Sequence, residues 1–214
     1  MSAGQEIRTA VEDRQWFIVG RWQEYEGEGR ANLLRIIAIG VFYAIELVNF
    51  RNGNVTEEFH RAITALAVAW TMVALATLLC LRRQIFPAGL KFVSTICDLL
   101  FLSGVLIIAD GPQSPMVIGY FLIIVLATLR FSLRLVWLAT LGSMIGYVYV
   151  LGATHPDWFG SDVRNFVVPR YAQATLLAGL ALTGVILGQV IRRVRSLAEQ
   201  YAERIVASGG KSTR

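Results

Sequence analysis

The sequence predicts an all-α membrane protein: a bundle of six transmembrane helices, both termini cytoplasmic, with a helical extension after the last span. Three observations predict it. Hydrophobic residues make up 55% of the chain and charged residues 16%, with a mean hydropathy of +0.55, too apolar for an ordinary soluble domain. The apolar residues fall into runs of about 18–21, and a bilayer's hydrocarbon core takes roughly 17–25 helical residues. The basic residues crowd the alternate ends of those runs.

The segments 92–109 and 116–133 are the clearest spans. Each carries a single charged residue, Asp98 in the first and Arg130 near the end of the second. Between them Asp110, Gly111, Pro112, Gln113, Ser114 and Pro115 make a turn too short for anything but neighbouring antiparallel helices.

Taken in order, residues 1–30 form a cytoplasmic segment. Ile7, Val11, Trp16, Phe17, Ile18 and Trp22 give it a partly amphipathic helix suited to the inner interface. The run from Glu24 to Arg30, with Gly27 and Gly29, is expected to break that helix before the membrane. The membrane domain, 31–191, holds spans at about 31–50, 62–81, 92–109, 116–133, 135–152 and 171–191. Residues 51–61 are a polar turn, and Arg82, Arg83, Pro87 and Lys91 mark a basic loop. Arg130 and Arg134 bracket a tight turn. The longer loop 153–170 holds His155, Pro156, Trp158 and Phe159, the aromatics suiting a membrane interface. The last part, 192–214, is a cytoplasmic helical extension ending in a frayed tail.

Orientation follows from charge. Sixteen of the twenty Lys and Arg residues fall on the side of the two termini, and only Arg51, Arg61, Arg164 and Arg170 on the other. The positive-inside rule therefore places both termini in the cytoplasm. The same distribution turns the net charge of +5 toward anionic lipid headgroups rather than nucleic acid, because no basic stripe with interleaved aromatics lies on a soluble segment. The opening 30 residues are polar, so the first span is expected to act as an uncleaved insertion signal. Cys80 and Cys97 sit near cytoplasmic span ends, where free thiols are expected.

A charge inside a span costs roughly 2.5–3.5 kcal/mol on insertion scales, so each asks for a partner. Arg35 lies about 6 Å into span one and Asp98 about 9 Å into span three, counting 1.5 Å per residue. Matching depth and opposite sign predict an intramembrane ion pair; snorkelling of Arg35 to the headgroups is the other reading. Glu46 lies about 22 Å along span one, level with His60 at the start of span two. That outer-side pair reads either as a proton or ligand sensor or as a solvated loop contact. His60 and His155 are the only histidines, both on the outer side, so neither haem nor zinc is expected.

Gly142 with Gly146, and Gly184 with Gly188, have the GxxxG spacing that lets helices approach closely. Leu187, Val190, Val194, Leu197 and Tyr201 follow the 3–4 spacing of a short coiled-coil seam, which Ile205 misses by one residue. This seam leaves the membrane with Arg192, Arg193 and Arg195 on other faces. It reads equally as a docking seam for another chain, a second copy included, or as an amphipathic helix resting on lipid. Gly209, Gly210, Lys211, Ser212 and Thr213 echo the end of a phosphate-binding loop but lack its earlier glycine, since Ile205 stands there. Asn54, Val55 and Thr56 form a glycosylation sequon, meaningful only on a eukaryotic secretory route.

Asp98, the turn from Asp110 to Pro115, the run from Tyr120 to Ile124, and the Arg130-to-Arg134 turn resemble the multi-span sensor regions of bacterial membrane histidine kinases and class III adenylate cyclases. Asp110 stands where that family often has the first of two glycines. The resemblance implies a bacterial inner-membrane sensor or transducer whose last span continues as a signalling helix. No catalytic domain follows in this sequence, so the resemblance implies an orphaned input module, a truncated chain, or a subunit whose output belongs to a partner chain. The alternatives are an accessory or structural subunit of a larger membrane complex, and a small transporter. No nucleophile–base set, paired carboxylates or metal cluster stands out, so an enzyme is not expected.

Overall fold

The computed structural model describes residues 3–83, 89–154 and 168–209. Among them are six α-helices: α1 (Ala3–Arg51), α2 (Glu57–Arg82), α3 (Leu90–Ile108), α4 (Ile118–Thr128), α5 (Leu133–Thr154) and α6 (Arg170–Gly209). Two 3₁₀ turns, Gly111–Gln113 and Pro115–Val117, stand between α3 and α4. The expectations for Pro87, for His155, Pro156, Trp158 and Phe159, and for the tail from residue 210 onward lie outside the described residues.

Five helical stretches are long and apolar enough to cross a membrane: Tyr25–Arg51, Glu57–Arg82, Leu90–Ile108, Leu133–Thr154 and Arg170–Ala198. The chain is thus all-α and multi-pass. The fourth expected span is corrected. Instead of filling 116–133, α4 holds 11 residues. At its start Pro112 and Pro115 take 3₁₀ geometry, with the Ser114 hydroxyl accepting from the Met116 amide at 3.3 Å. At its end Phe131 takes a left-handed conformation (φ 48°), which an α-helix does not accommodate. Pro115–Thr128 together covers about 21 Å at 1.5 Å per residue, less than the ~30 Å hydrocarbon core.

A second correction concerns residues 24–30. Here α1 runs unbroken through Gly27 and Gly29. Each glycine costs a helix only ~1 kcal/mol, and Arg30 pairs with Glu26 one turn back along this stretch.

The chain divides into two compact units, Met1–Ser94 with Leu129–Phe131, and Thr95–Thr128 with Ser132–Arg214. In the first, α1 and α2 form an antiparallel hairpin closed at Asn52 to Thr56. Gly53 takes φ 73° in the turn. Thr56 caps α2, its hydroxyl accepting from the Phe59 amide at 3.3 Å, and Glu57 and Glu58 complement the helix dipole. Polar contacts recur along the whole seam. Tyr25 donates to the Leu81 carbonyl at 3.1 Å, Asn32 Nδ2 to the Ala74 carbonyl at 3.0 Å, Tyr43 meets Thr64 at 3.2 Å, and Glu46 meets His60 at 3.0 Å. Each advance along α1 is matched, to within one residue, by a retreat along α2, which fixes one register. Without water to compete, such contacts hold helices together in lipid.

The outward side of α1 is the apolar one. Leu33, Ile37, Val41, Ile45 and Val48 are exposed along one stripe, while Glu28, Asn32, Arg35 and Ile39 are buried on the opposite face. That inverts the amphipathicity of a soluble helix and suits contact with acyl chains.

In the second unit α4 packs antiparallel to α3. A Cβ on Gly119 would meet the Leu102 side chain, and Tyr120 Oη bonds Ser103 Oγ at 2.8 Å. Helix α5 lies against both, with Leu135, Val136, Ala139, Thr140, Ser143, Tyr147 and Val150 buried. Helix α6 packs on α5, with Gly184 against Thr140 and Gly188 against Leu133, and its Leu180 and Ile191 are buried.

Candidate functional site

Charged side chains shielded from solvent are the least expected feature of a membrane bundle, and the first unit concentrates them on one side. Glu28 is fully buried, Arg35 is 1% exposed and Arg130 3%. Glu28 and Arg35 lie on α1, and Arg130 lies in the turn after α4.

Arg130 is the hub. Its Nη2 donates to Glu28 Oε1 at 2.8 Å and to Ser94 Oγ at 3.0 Å, and its Nη1 to the Lys91 carbonyl at 2.8 Å. Ser94 Oγ in turn lies 3.4 Å from Glu28 Oε1. The Lys91 carbonyl and Ser94 belong to the first turns of α3, so the chain has gone out along α3 and come back to the level from which it started. A guanidinium serves here because its planar fork can meet a carboxylate, a hydroxyl and a carbonyl together, which an ammonium does less well. The other carboxylate oxygen, Glu28 Oε2, is buried with no hydrogen-bond partner among the described residues.

The backbone makes room for this pairing. A Cβ on Gly27 would stand 2.8 Å from the Leu129 carbonyl oxygen and 3.3 Å from Arg130 Cα. Glycine is therefore required for the turn to lie against α1. One and two turns further along α1, Asn32 bonds the Ala74 carbonyl and accepts from Arg35 Nη1 at 2.8 Å.

The other sequence-derived residues fall as follows. Arg35 lies in the first unit and Asp98 in the second; each is buried, Asp98 at 3% exposure. Glu46 and His60 are brought together, with His60 Nδ1 at 3.0 and 3.1 Å from the two carboxylate oxygens. Phe50 stacks on the imidazole at 3.9 Å between ring centroids and 7° between planes. The glycines lie at close helix approaches: Gly142 against Leu99, Gly146 against Ser103 and Tyr120, Gly184 against Thr140, and Gly188 against Leu133. On α6, Val190, Val194, Leu197 and Tyr201 are exposed and Leu187 half-buried. Cys80 and Cys97 are free thiols.

Sequence reasoning missed Glu28, Asn32 and Ser94. The glycines on either side of Glu28 read as a helix break, which hid a regular pattern. Glu28, Asn32, Arg35 and Ile39 recur at i, i+4, i+7 and i+11 on a single helical face. Arg130 was visible, but as an interface residue rather than a buried one.

No group of three or more His, Cys, Asp and Glu stands together as metal ligands among the described residues. The cluster of Glu28, Ser94 and Arg130 holds one charge against another and ties the turn after α4 to α1 and to the start of α3. No known protein family, curated protein or solved structure matches the chain.

Proposed function

We propose that this protein is a membrane-embedded transducer that passes movement of its bundle along α6 to a partner chain in the cytoplasm. One observation carries the reading: α6 continues from Arg170 to Gly209 without a break, 40 residues, or about 60 Å at 1.5 Å per residue. That is about twice the hydrocarbon thickness. Its buried face (Leu180, Gly184, Gly188, Ile191) and its seam (Val190, Val194, Leu197, Tyr201) lie on different sides of the helix. A rotation or shift received on the first face therefore appears on the second.

Both termini lie on the cytoplasmic side in this reading, with the bilayer a bacterial inner membrane. Two observations support it. Arg30, Arg82, Arg83, Arg134, Arg192, Arg193 and Arg195 are exposed at one set of helix ends, where anionic headgroups would meet them. The turn after α4 returns to the start of α3, where Arg130 bonds the Lys91 carbonyl, which supports an even number of passes although α4 itself is shorter than the hydrocarbon core.

A second reading, an accessory subunit of a larger membrane complex, is favoured by α1, whose helix begins at Ala3, well before the apolar run that starts at residue 31. Native purification in mild detergent with mass spectrometry of the eluate separates the two. A kinase, cyclase or response regulator that is lost from a Val194→Glu, Leu197→Glu variant supports the transducer. A fixed stoichiometry of membrane subunits that survives those substitutions supports the accessory role.

A further inference from the structure

We propose that residues 129–131 are a strap with two positions, closed in this structure and governed by α1 through Gly27 and Glu28. The inference starts from Phe131, a bulky residue held at φ 48°, a conformation that L side chains other than Asn and Asp rarely adopt. Phe131 is 55% exposed. Unfavourable backbone geometry persists only where the surroundings over-determine it, and such places are enriched in switch segments.

What over-determines it is next to it in the chain. Arg130 is fixed by Glu28 Oε1, Ser94 Oγ and the Lys91 carbonyl. The Leu129 carbonyl lies in the notch that Gly27 leaves open. Two of these attachments, the Glu28 carboxylate and the notch at Gly27, come from adjacent residues of α1. A turn or slide of α1 at this level withdraws the carboxylate and closes the notch in one movement.

Opening also has a natural end point. Once Glu28 withdraws, Arg130 gains by reaching the headgroups, as arginines near span ends do. Phe131 returns to an ordinary negative φ. Ser132 then moves, and its carbonyl is the acceptor for the Leu135 and Val136 amides at the start of α5, at 3.0 and 3.1 Å. These two amides report the state of the strap.

The test is hydrogen exchange of the Leu135 and Val136 amides in lipid nanodiscs, expressed as protection relative to intrinsic rates, with the mid-α5 amide of Met144 as reference. Glu28→Gln weakens the charged attachment, Gly27→Ala fills the notch without touching a charge, and Phe131→Asn suits the left-handed backbone. Exchange faster by roughly fivefold or more in the first two, and slower by a similar factor in the third, with Met144 unmoved, is the expected result. Unchanged exchange at Leu135 and Val136 in Glu28→Gln and Gly27→Ala overturns the strap. So does faster exchange in Phe131→Asn, or a parallel change at Met144, which would mean general loosening. None of these outcomes depends on a partner chain.

Discussion

Arg130 Nη2 lies 2.8 Å from Glu28 Oε1, the two residues standing 102 positions apart in sequence and both side chains withdrawn from solvent. Two charges taken out of water stabilise a structure only when each satisfies the other, and removing one leaves the second stranded. The relationship therefore constrains the chain more tightly than its apolar contacts do.

Arg130→Ala or Glu28→Ala is expected to destabilise the protein by about 3–5 kcal/mol, the usual cost of stranding a buried charge. Replacing both with methionine should restore most of that loss. Unfolding in mild detergent, compared across the two single variants and the double, measures it. Equal and additive losses would mean that the pair does not act as a pair.

Gly184 is expected to tolerate no side chain. A Cβ there would meet the Thr140 side chain, with its Cβ atom only 2.9 Å away. Gly184→Ala should cost about 1–3 kcal/mol through overpacking, and Thr140→Ala in the same chain should recover part of it. Gly40 offers the control, since a Cβ there meets nothing within 4 Å. Gly40→Ala should be neutral or slightly stabilising.

The expected pairing of Arg35 with Asp98 is open to a double-mutant cycle. If the two compensate each other, Arg35→Leu and Asp98→Leu are each destabilising, and together they cost less than their sum by about 1 kcal/mol or more. Additive costs would mean that each charge is satisfied separately.

Sidedness is checked by thiol labelling. A single cysteine at Gln5 and one at Ser196 should both react with a membrane-impermeant reagent only after the cytoplasmic side is exposed. A cysteine at Asn54 should react from the opposite side.

The helices and their chain positions were legible because apolar runs of span length have few other uses. The polar turn after Arg51 is where the sequence puts it, although α2 starts at Glu57, inside the stretch 51–61 read as turn. The buried charges were less legible. Glu28 sits between two glycines, and local propensity reads that stretch as a break; it is a helix because tertiary contacts to Leu129 and Arg130 hold it there. The shortness of α4 was hidden for a related reason: apolar composition continues through Leu129, Phe131 and Leu133, and only the capture of Arg130 marks the turn. Glu46 and His60 were found because they face each other across a short turn, where sequence distance and spatial distance nearly agree.

The transducer reading rests on the α6 seam meeting a partner chain, and a photo-crosslinking scan in native membranes tests that most directly. A photoreactive residue is placed in turn at Val190, Val194, Leu197 and Tyr201, and at Arg192 and Ser196 on the other side of the helix. The reading predicts protein adducts of one defined mass from the seam positions and none from the other two. Adducts to lipid alone, or equal protein adducts from every position, would contradict it.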